Sequence, residues 1–177
     1  DLDYDREIDQ HEVDIEEECL KILALYQPVS TDLRQVVAIL KINNDLERMA
    51  DLAANIAEYV IEIHQRDPDA QVSGRFQLMA NEARSMVRQS LDSLVNADSE
   101  LARQVFRRDD VVDDLNVEII NEVFEEMKAN PDRMNALLFQ ISASRNIERI
   151  ADIATNVAED VIYVVSGEII RHDRSKR

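Results

Sequence analysis

The sequence predicts an all-α fold made of tandem three-helix bundles from an internal duplication, with the first helix of the first bundle missing from this chain. Its 177 residues include only two glycines and three prolines, so few positions disfavour helix. Apolar residues recur three and four positions apart over long stretches, which is the helical period. Residues 47–61 also reappear as 148–162, with ten identical positions and three aliphatic exchanges. A repeat this close indicates duplication.

Five helices are expected, over roughly residues 3–27, 30–66, 75–95, 100–128 and 133–165. Pro28 should end the first helix, because proline cannot continue the hydrogen-bonding pattern. Ser30, Thr31 or Asp32 should cap the second, and Asp98 or Ser99 the fourth, since short polar side chains bond to the first free amides. The Asn130-Pro131 turn should lead into the fifth. No strand-like alternation is present.

The duplication extends to the helices that precede the two repeated stretches. Asp5-x-x-Ile8-Asp9 in the first helix matches Asp109-x-x-Val112-Asp113 in the fourth, at an offset of 104 residues rather than 101. The third helix precedes the fourth, so its counterpart would precede residue 1. We therefore expect one repeat unit over residues 1–70 and a second over residues 71–177.

Charge and composition narrow the function classes. The formal net charge of −17 and a pI near 4.5 argue against nucleic-acid binding, which needs a basic face. They suit divalent cations or basic surfaces of other proteins. A single cysteine, Cys19, excludes an internal disulfide and fits a reducing compartment. No apolar run is long enough to span a membrane and no signal sequence is evident, so we expect a cytoplasmic location.

The repeated helices place acidic side chains opposite a narrow apolar seam. In an antiparallel helix pair, residues whose numbers have a constant sum lie at the same height. Turns near Pro28 and Pro131 then bring together two acidic pairs in each half: Asp5 with Asp51, Asp9 with Glu47, Asp109 with Asp152, and Asp113 with Glu148. Carboxylates this close repel unless a cation neutralises them, and oxygen ligands suit hard or borderline divalent metals. The alternative is two solvated acidic strips.

Further polar residues on the same faces are candidates for supporting roles: Asn44, Asn55, Glu58, Asn156 and Glu159. His11, His64 and His172 have no partner at helical spacing and are interpreted as surface residues. Cys19 is interpreted as a packing residue, because no histidine stands where it could activate a thiol. With no glycine-rich phosphate loop and no nucleophile–base pair, an enzyme is not expected.

The repeated motif Glu-Arg-x-Ala-Asp-x-Ala-x-Asn-x-Ala-Glu resembles the twin signature of the PhoU family of phosphate-transport regulators. Further segments that resemble the family lie at residues 23–28, 32–34, 40–42, 44–48, 161–163 and 167–172. The resemblance implies two three-helix bundles side by side, a homodimer, and metal clusters held by E(D)-x-x-x-D pairs. On this sequence those pairs are the eight carboxylates above. The ions implied are divalent or trivalent: iron, zinc, manganese, magnesium or nickel.

The resemblance also implies a regulatory adaptor. Such a protein contacts the ATPase subunit of the phosphate ABC transporter and a phosphate-sensing histidine kinase, which it regulates negatively, and it reaches the inner face of the membrane through these partners. Four positions depart from the family pattern, which usually has Gly at Ala50 and Ala151, often His at Ile153 and often Asp at Ile169. The missing histidine leaves the metal's identity open. The alternative functions are a carboxylate-bundle protein that binds or stores metal, and a purely structural bundle.

Overall fold

The structure, a computed structural model, describes the backbone of residues 2–170 and the side chains of residues 8–170. Within that range it contains five long helices, a single-turn 3-10 helix at Pro131–Arg133, and no strand. The all-α prediction is therefore confirmed. The helices are α1 (Leu2–Tyr26), α2 (Ser30–Arg66), α3 (Gly74–Asn96), α4 (Ser99–Ala129) and α5 (Met134–Ser166).

The helix ends follow the predicted positions closely, but one predicted cap is wrong. Asp98 caps α4 as expected, since its carboxylate accepts bonds of 3.0 Å from the backbone N–H groups of Glu100 and Leu101. At the start of α2, however, Val29 is the N-cap residue and no side chain bonds to the first turn. The Thr31 hydroxyl instead accepts a bond from Arg34 at 3.2 Å. Helix α2 begins at Ser30, so all three candidate residues lie inside the helix and none occupies the N-cap position.

Helix α5 forms the centre of the fold because it packs against α2, α3 and α4 together. Eighteen of its 33 residues are buried, against seven of 37 in α2, its counterpart in the first repeat. The apolar seam predicted for both copies is therefore buried along most of α5 but along only part of α2. In α2, Ile39 and Val60 are 41% and 57% exposed, and Ile39 lines an open cavity together with Val161 and Val164 of α5.

Each helical pair is joined by a polar contact at an equivalent position. In the first repeat, the amide of buried Asn43 donates to the backbone carbonyl of Glu12 on α1 at 2.8 Å. In the second, the buried Ser144 hydroxyl donates to the Asn116 side-chain oxygen on α4 at 2.6 Å. These residues correspond at the offsets of 101 and 104 residues seen in the sequence. The duplication is thus visible in the hydrogen bonding as well as in the amino-acid sequence.

The two repeats meet where α2 packs against α5. Tyr59 contacts Phe139 with ring centroids 5.8 Å apart, and Lys41 pairs with the Asp160 carboxylate at 3.5 Å. Because an early residue of one helix meets a late residue of the other at both points, α2 and α5 are antiparallel. Residues whose numbers sum to about 200 therefore lie level across this junction.

None of the helices in the described part of the chain is long and apolar enough to cross a membrane.

Candidate metal and ligand site

The acidic residues of the second repeat lie close together on α4 and α5. Glu148 is half-buried, and its pKa is raised above the ordinary value, chiefly because burial removes water from the carboxylate and then because Asp152 and Asp113 are near it. Asp113 reaches this position from α4, whereas Asp152 lies one turn further along α5. The neighbouring Arg149 and Arg145 oppose the shift without cancelling it.

The first repeat has the same arrangement. Burial raises the pKa of half-buried Glu47, and Asp51, Asp9 and Glu12 raise it further. Asp9 and Glu12 belong to α1, so the carboxylates of the two helices lie at the same height. The side chain of the remaining candidate, Asp5, falls outside the described residues. Each half of the chain thus holds a carboxylate whose ionised form is destabilised first by burial and then by its acidic neighbours.

These carboxylates are neighbours but do not form a finished coordination sphere. Among the side chains of residues 8–170, no three His, Cys, Asp or Glu groups converge closely enough to hold an ion. Asp9, Asp51, Asp113 and Asp152 are all exposed, so their side chains have room to change rotamer. The donor set is all oxygen, as hard divalent cations prefer, and their charges repel without a cation. The residues therefore fit a metal in chemistry, and coordination would require side-chain rotation.

A cavity of about 540 Å³ opens between α2 and α5, beside both acidic clusters. Eight of its ten lining residues form four pairs related by the 101-residue offset: Arg48 with Arg149, Asp51 with Asp152, Leu52 with Ile153, and Asn55 with Asn156. Asp109 and Thr155 complete the lining. A cavity lined by equivalent residues of both copies lies on the approximate two-fold axis that relates them.

The supporting residues proposed from the sequence separate into three groups. Asn55 and Asn156 line the cavity, whereas exposed Asn44 and Glu58 do not. Glu159 was expected on the polar face, but it is only 5% exposed. It lines a smaller cavity of about 210 Å³ near the end of α5, with Lys41, Tyr163 and Ile170 around it. Its burial follows from the central position of α5, which leaves little of that helix facing water.

Three polar residues of the cavity were not among the sequence candidates: Arg48, Arg149 and Thr155. Both arginines belong to the repeated Glu-Arg pair, so their duplication was a usable signal. Arg48 is held by buried Asp45, at 3.1 Å. The Thr155 hydroxyl donates to the Asp152 backbone carbonyl at 2.7 Å, so its proton is committed and its oxygen is left to accept.

The described cysteine and histidine residues have the burial that the sequence analysis expected. Cys19 is buried and only 5% exposed, which confirms its interpretation as a packing residue. His11 and His64 are exposed, as expected for surface histidines. His172 lies outside the described residues. Two methionines of α3 that were not among these candidates, Met79 and Met86, are completely buried in the core of the second repeat.

Fold and site together define a duplicated helical bundle with a pair of acidic clusters, and comparison with known proteins identifies its family. The model of the PhoU domain matches residues 2–60 and again residues 76–161. These two matches cover most of the chain, one for each copy of the repeat. The chain belongs to the PhoU family.

Individual relatives agree with this assignment. The chain is 35% identical over 175 residues to the phosphate-specific transport system accessory protein PhoU homolog of Pseudomonas putida, covering 99% of this chain and 68% of the relative. It is 39% identical over 172 residues to the protein of the same name from Aquifex aeolicus, covering 97% and 77%.

Two crystal structures of PhoU proteins share the fold. The structure from Pseudomonas aeruginosa matches with a TM-score of 0.90 at 34% identity, over 94% of this chain and 80% of that one. The phosphate transport system regulatory protein PhoU from Streptococcus pneumoniae matches with a TM-score of 0.86 at 27% identity, over 95% and 78%.

Proposed function

We propose that the protein is a metal-binding accessory protein of phosphate transport that regulates phosphate-starvation signalling. Membership of the PhoU family supports the transport role, since its relatives carry the name of phosphate-specific transport system accessory proteins. The paired carboxylate clusters, one in each repeat, support the metal-binding role. The placement of Asp113 and Asp152 around half-buried Glu148 is the observation that carries it.

Seven described carboxylates would hold the ions, three in the first repeat and four in the second: Asp9, Glu47 and Asp51, then Asp109, Asp113, Glu148 and Asp152. Asp5 would join the first group. Bound cations would supply positive charge that turns the mutual repulsion of these groups into attraction. The chain's own contribution is to present the carboxylates at one height on adjacent helices and to leave their side chains enough room to coordinate.

The regulatory role is that of an adaptor. The protein contacts the ATPase subunit of the phosphate ABC transporter and a phosphate-sensing histidine kinase, and it holds the kinase in its inactive state. A net charge of −17 favours association with basic protein surfaces, and this attraction is screened by salt. The protein acts as a homodimer at the inner face of the membrane, where these partners place it.

Thermal unfolding with and without metal tests the metal-binding part. Saturation at 100 times Kd stabilises a single site by about 2.7 kcal/mol, which corresponds to roughly 5–11 °C in Tm for a chain of this size. We expect Mn²⁺ to raise Tm by about this amount, EDTA to reverse it, and the double variant Asp51→Asn/Asp152→Asn to lose most of the response.

The matched control is Asp92→Asn, which removes an exposed carboxylate on α3 away from both clusters. This variant should keep the full response to metal. A wild-type Tm that stays constant from EDTA to millimolar Mn²⁺, Mg²⁺, Zn²⁺, Ni²⁺ and Fe²⁺ would reduce the clusters to solvated acidic strips.

Co-purification tests the adaptor part independently. The protein should retain the kinase and the transporter ATPase subunit on a column in low salt, with retention decreasing as salt rises. Light scattering after gel filtration should give twice the monomer mass of 20.3 kDa. If neither partner is retained while several ions bind per chain, the protein is a metal-storage bundle and not an adaptor.

A further inference from the structure

The cavity between α2 and α5 contains a set of groups that metal binding alone does not explain. A pure cation site needs carboxylates and has no use for positive side chains near them. This cavity is lined by two guanidinium groups, Arg48 and Arg149, and by the amides of Asn55 and Asn156. Guanidinium and amide N–H groups are donors, and together they are the groups that bind tetrahedral oxyanions.

The two-fold arrangement brings each arginine to the acidic cluster of the other repeat. Because residues summing to about 200 lie level across the junction, Arg48 on α2 is level with Asp152 on α5, and Arg149 with Asp51. Donors therefore enter the cavity from opposite sides. An anion near its centre could accept bonds from Arg149 and from those N–H groups of Arg48 that do not donate to Asp45.

The charge of the cavity depends on metal. Three carboxylates, those of Asp51, Asp109 and Asp152, face two guanidinium groups, so the lining carries one net negative charge. In this state the cavity repels a phosphate ion. Asp45, which pairs with Arg48 at 3.1 Å, adds one more negative charge, so one divalent cation on the carboxylates brings the site to net neutrality. The same ion would then attract the anion that the arginines are placed to receive.

We propose that this cavity binds phosphate as a metal–oxyanion pair, with the cation on the aspartates and the phosphate oxygens on Arg48 and Arg149. This inference rests on the proposed metal-binding function and assigns a ligand to it. Asn55 and Asn156 donate further hydrogen bonds from their amides. Each repeat contributes half of the donors, so the site exists only in the duplicated chain.

The coupling between the two ligands gives the first test. Inorganic phosphate is titrated calorimetrically into the protein in saturating Mg²⁺ and, separately, in EDTA, with phosphate titrated into Mg²⁺ alone as the blank. We expect phosphate to bind at least about tenfold more tightly with metal. By thermodynamic linkage, saturating phosphate must tighten Mg²⁺ binding by the same factor.

Variants of the arginines give the second test. Arg149→Gln and Arg48→Gln each remove charge-assisted donors, and each should weaken metal-dependent phosphate binding by about tenfold or more. Neither should weaken Mg²⁺ binding in the absence of phosphate, because both remove positive charge beside the cation. Arg88→Gln on α3 is the matched control, since Arg88 is well exposed and pairs only weakly with Asp92 at 3.9 Å. It should bind phosphate like wild type.

The outcomes separate the two proposals. If Mg²⁺ binds and phosphate does not, the metal function stands, the oxyanion site is refuted, and the arginines serve only to neutralise the opposite carboxylates. Equal phosphate binding in EDTA and in Mg²⁺ also refutes it. If no metal binds, the metal-binding part of the proposed function fails, and this inference fails with it.

A parallel titration with phosphoserine identifies the source of the oxyanion. Tighter binding of inorganic phosphate assigns the site to the free ion, whereas tighter binding of the monoester assigns it to a phosphoryl group on a larger molecule. Both results require the same two arginines.

Discussion

Breaking the ion pair between Lys41 and Asp160 should weaken the junction of the two repeats. The Asp160 side chain is only 3% exposed and that of Lys41 is 41% exposed, with 3.5 Å between nitrogen and oxygen. At this distance two unit charges attract by about 5 kcal/mol at an effective dielectric constant of 20 and by about 1 kcal/mol in bulk water. Lys41 lies between these environments, so we expect a coupling energy of about 1–3 kcal/mol.

A double-mutant cycle measures this coupling. Lys41→Met, Asp160→Asn and the double variant are unfolded in urea, and helix content is followed by circular dichroism. The cycle is needed because Asp160 makes other contacts, whose loss would inflate the effect of a single variant. We expect both single variants to be destabilised and the double variant to be destabilised by less than their sum.

The control pair is Lys21 and Glu18, one turn apart on α1 at 3.6 Å, with side chains 59% and 67% exposed. Its separation is nearly the same but its burial is not, so the same cycle should give less than about 1 kcal/mol. If the two pairs return the same coupling energy, burial at the α2–α5 junction does not strengthen the Lys41 pair and the reasoning above is refuted.

Two further predictions concern α5. Leu137 is completely buried, so Leu137→Ala should lower the free energy of unfolding, measured in urea, by about 2–5 kcal/mol. Leu138 is half-exposed, so Leu138→Ala should change that free energy by much less. Similar losses in the two variants would contradict the assigned difference in burial. The raised pKa of Glu148 means that its ionised form is disfavoured in the folded state. The cost to the free energy of unfolding is therefore absent below the usual pKa of 4.5 and develops as pH rises through the higher pKa of the folded state. In metal-free buffer Glu148→Gln should therefore gain stability relative to wild type between pH 4 and pH 7, and a flat difference would contradict the assigned shift.

The helices could be read from the sequence because their signals are local. Periodicity, Pro28 and the Asp98 cap each depend on a few neighbouring residues, and all of them appear in the structure. The same holds for the proximity of Asp113 to Glu148, since the height of two residues in a hairpin depends on the turn alone. The missing cap on α2 is different, because the helix begins at Ser30 and leaves Val29, which has no polar side chain, at the N-cap position.

The junction between the repeats could not be read in the same way. No short turn joins α2 to α5, so the sequence contains no register for Arg48 against Asp152. The burial of Glu159 was missed for a related reason. Periodicity assigns one polar face to a helix, but α5 is surrounded by three other helices and has little surface left for such a face. Equivalent residues of the two repeats can differ in burial, and that difference depends on tertiary packing, which the repeated sequence does not contain.

The unequal burial of the two copies has a consequence for how residues 2–170 open. Helices α3 and α4 pack on each other as well as on α5, whereas α1 packs mainly on α2. Separating α1 therefore breaks a single helix–helix contact, and amide hydrogens in α1 should exchange with solvent at a lower free energy than those in α5. The Asp9 cluster depends on α1, so it disperses in this partly open state, while the Asp113 cluster persists. Within residues 2–170 the two acidic clusters therefore differ in stability, and the Asp9 cluster is lost at a lower free energy of opening than the Asp113 cluster.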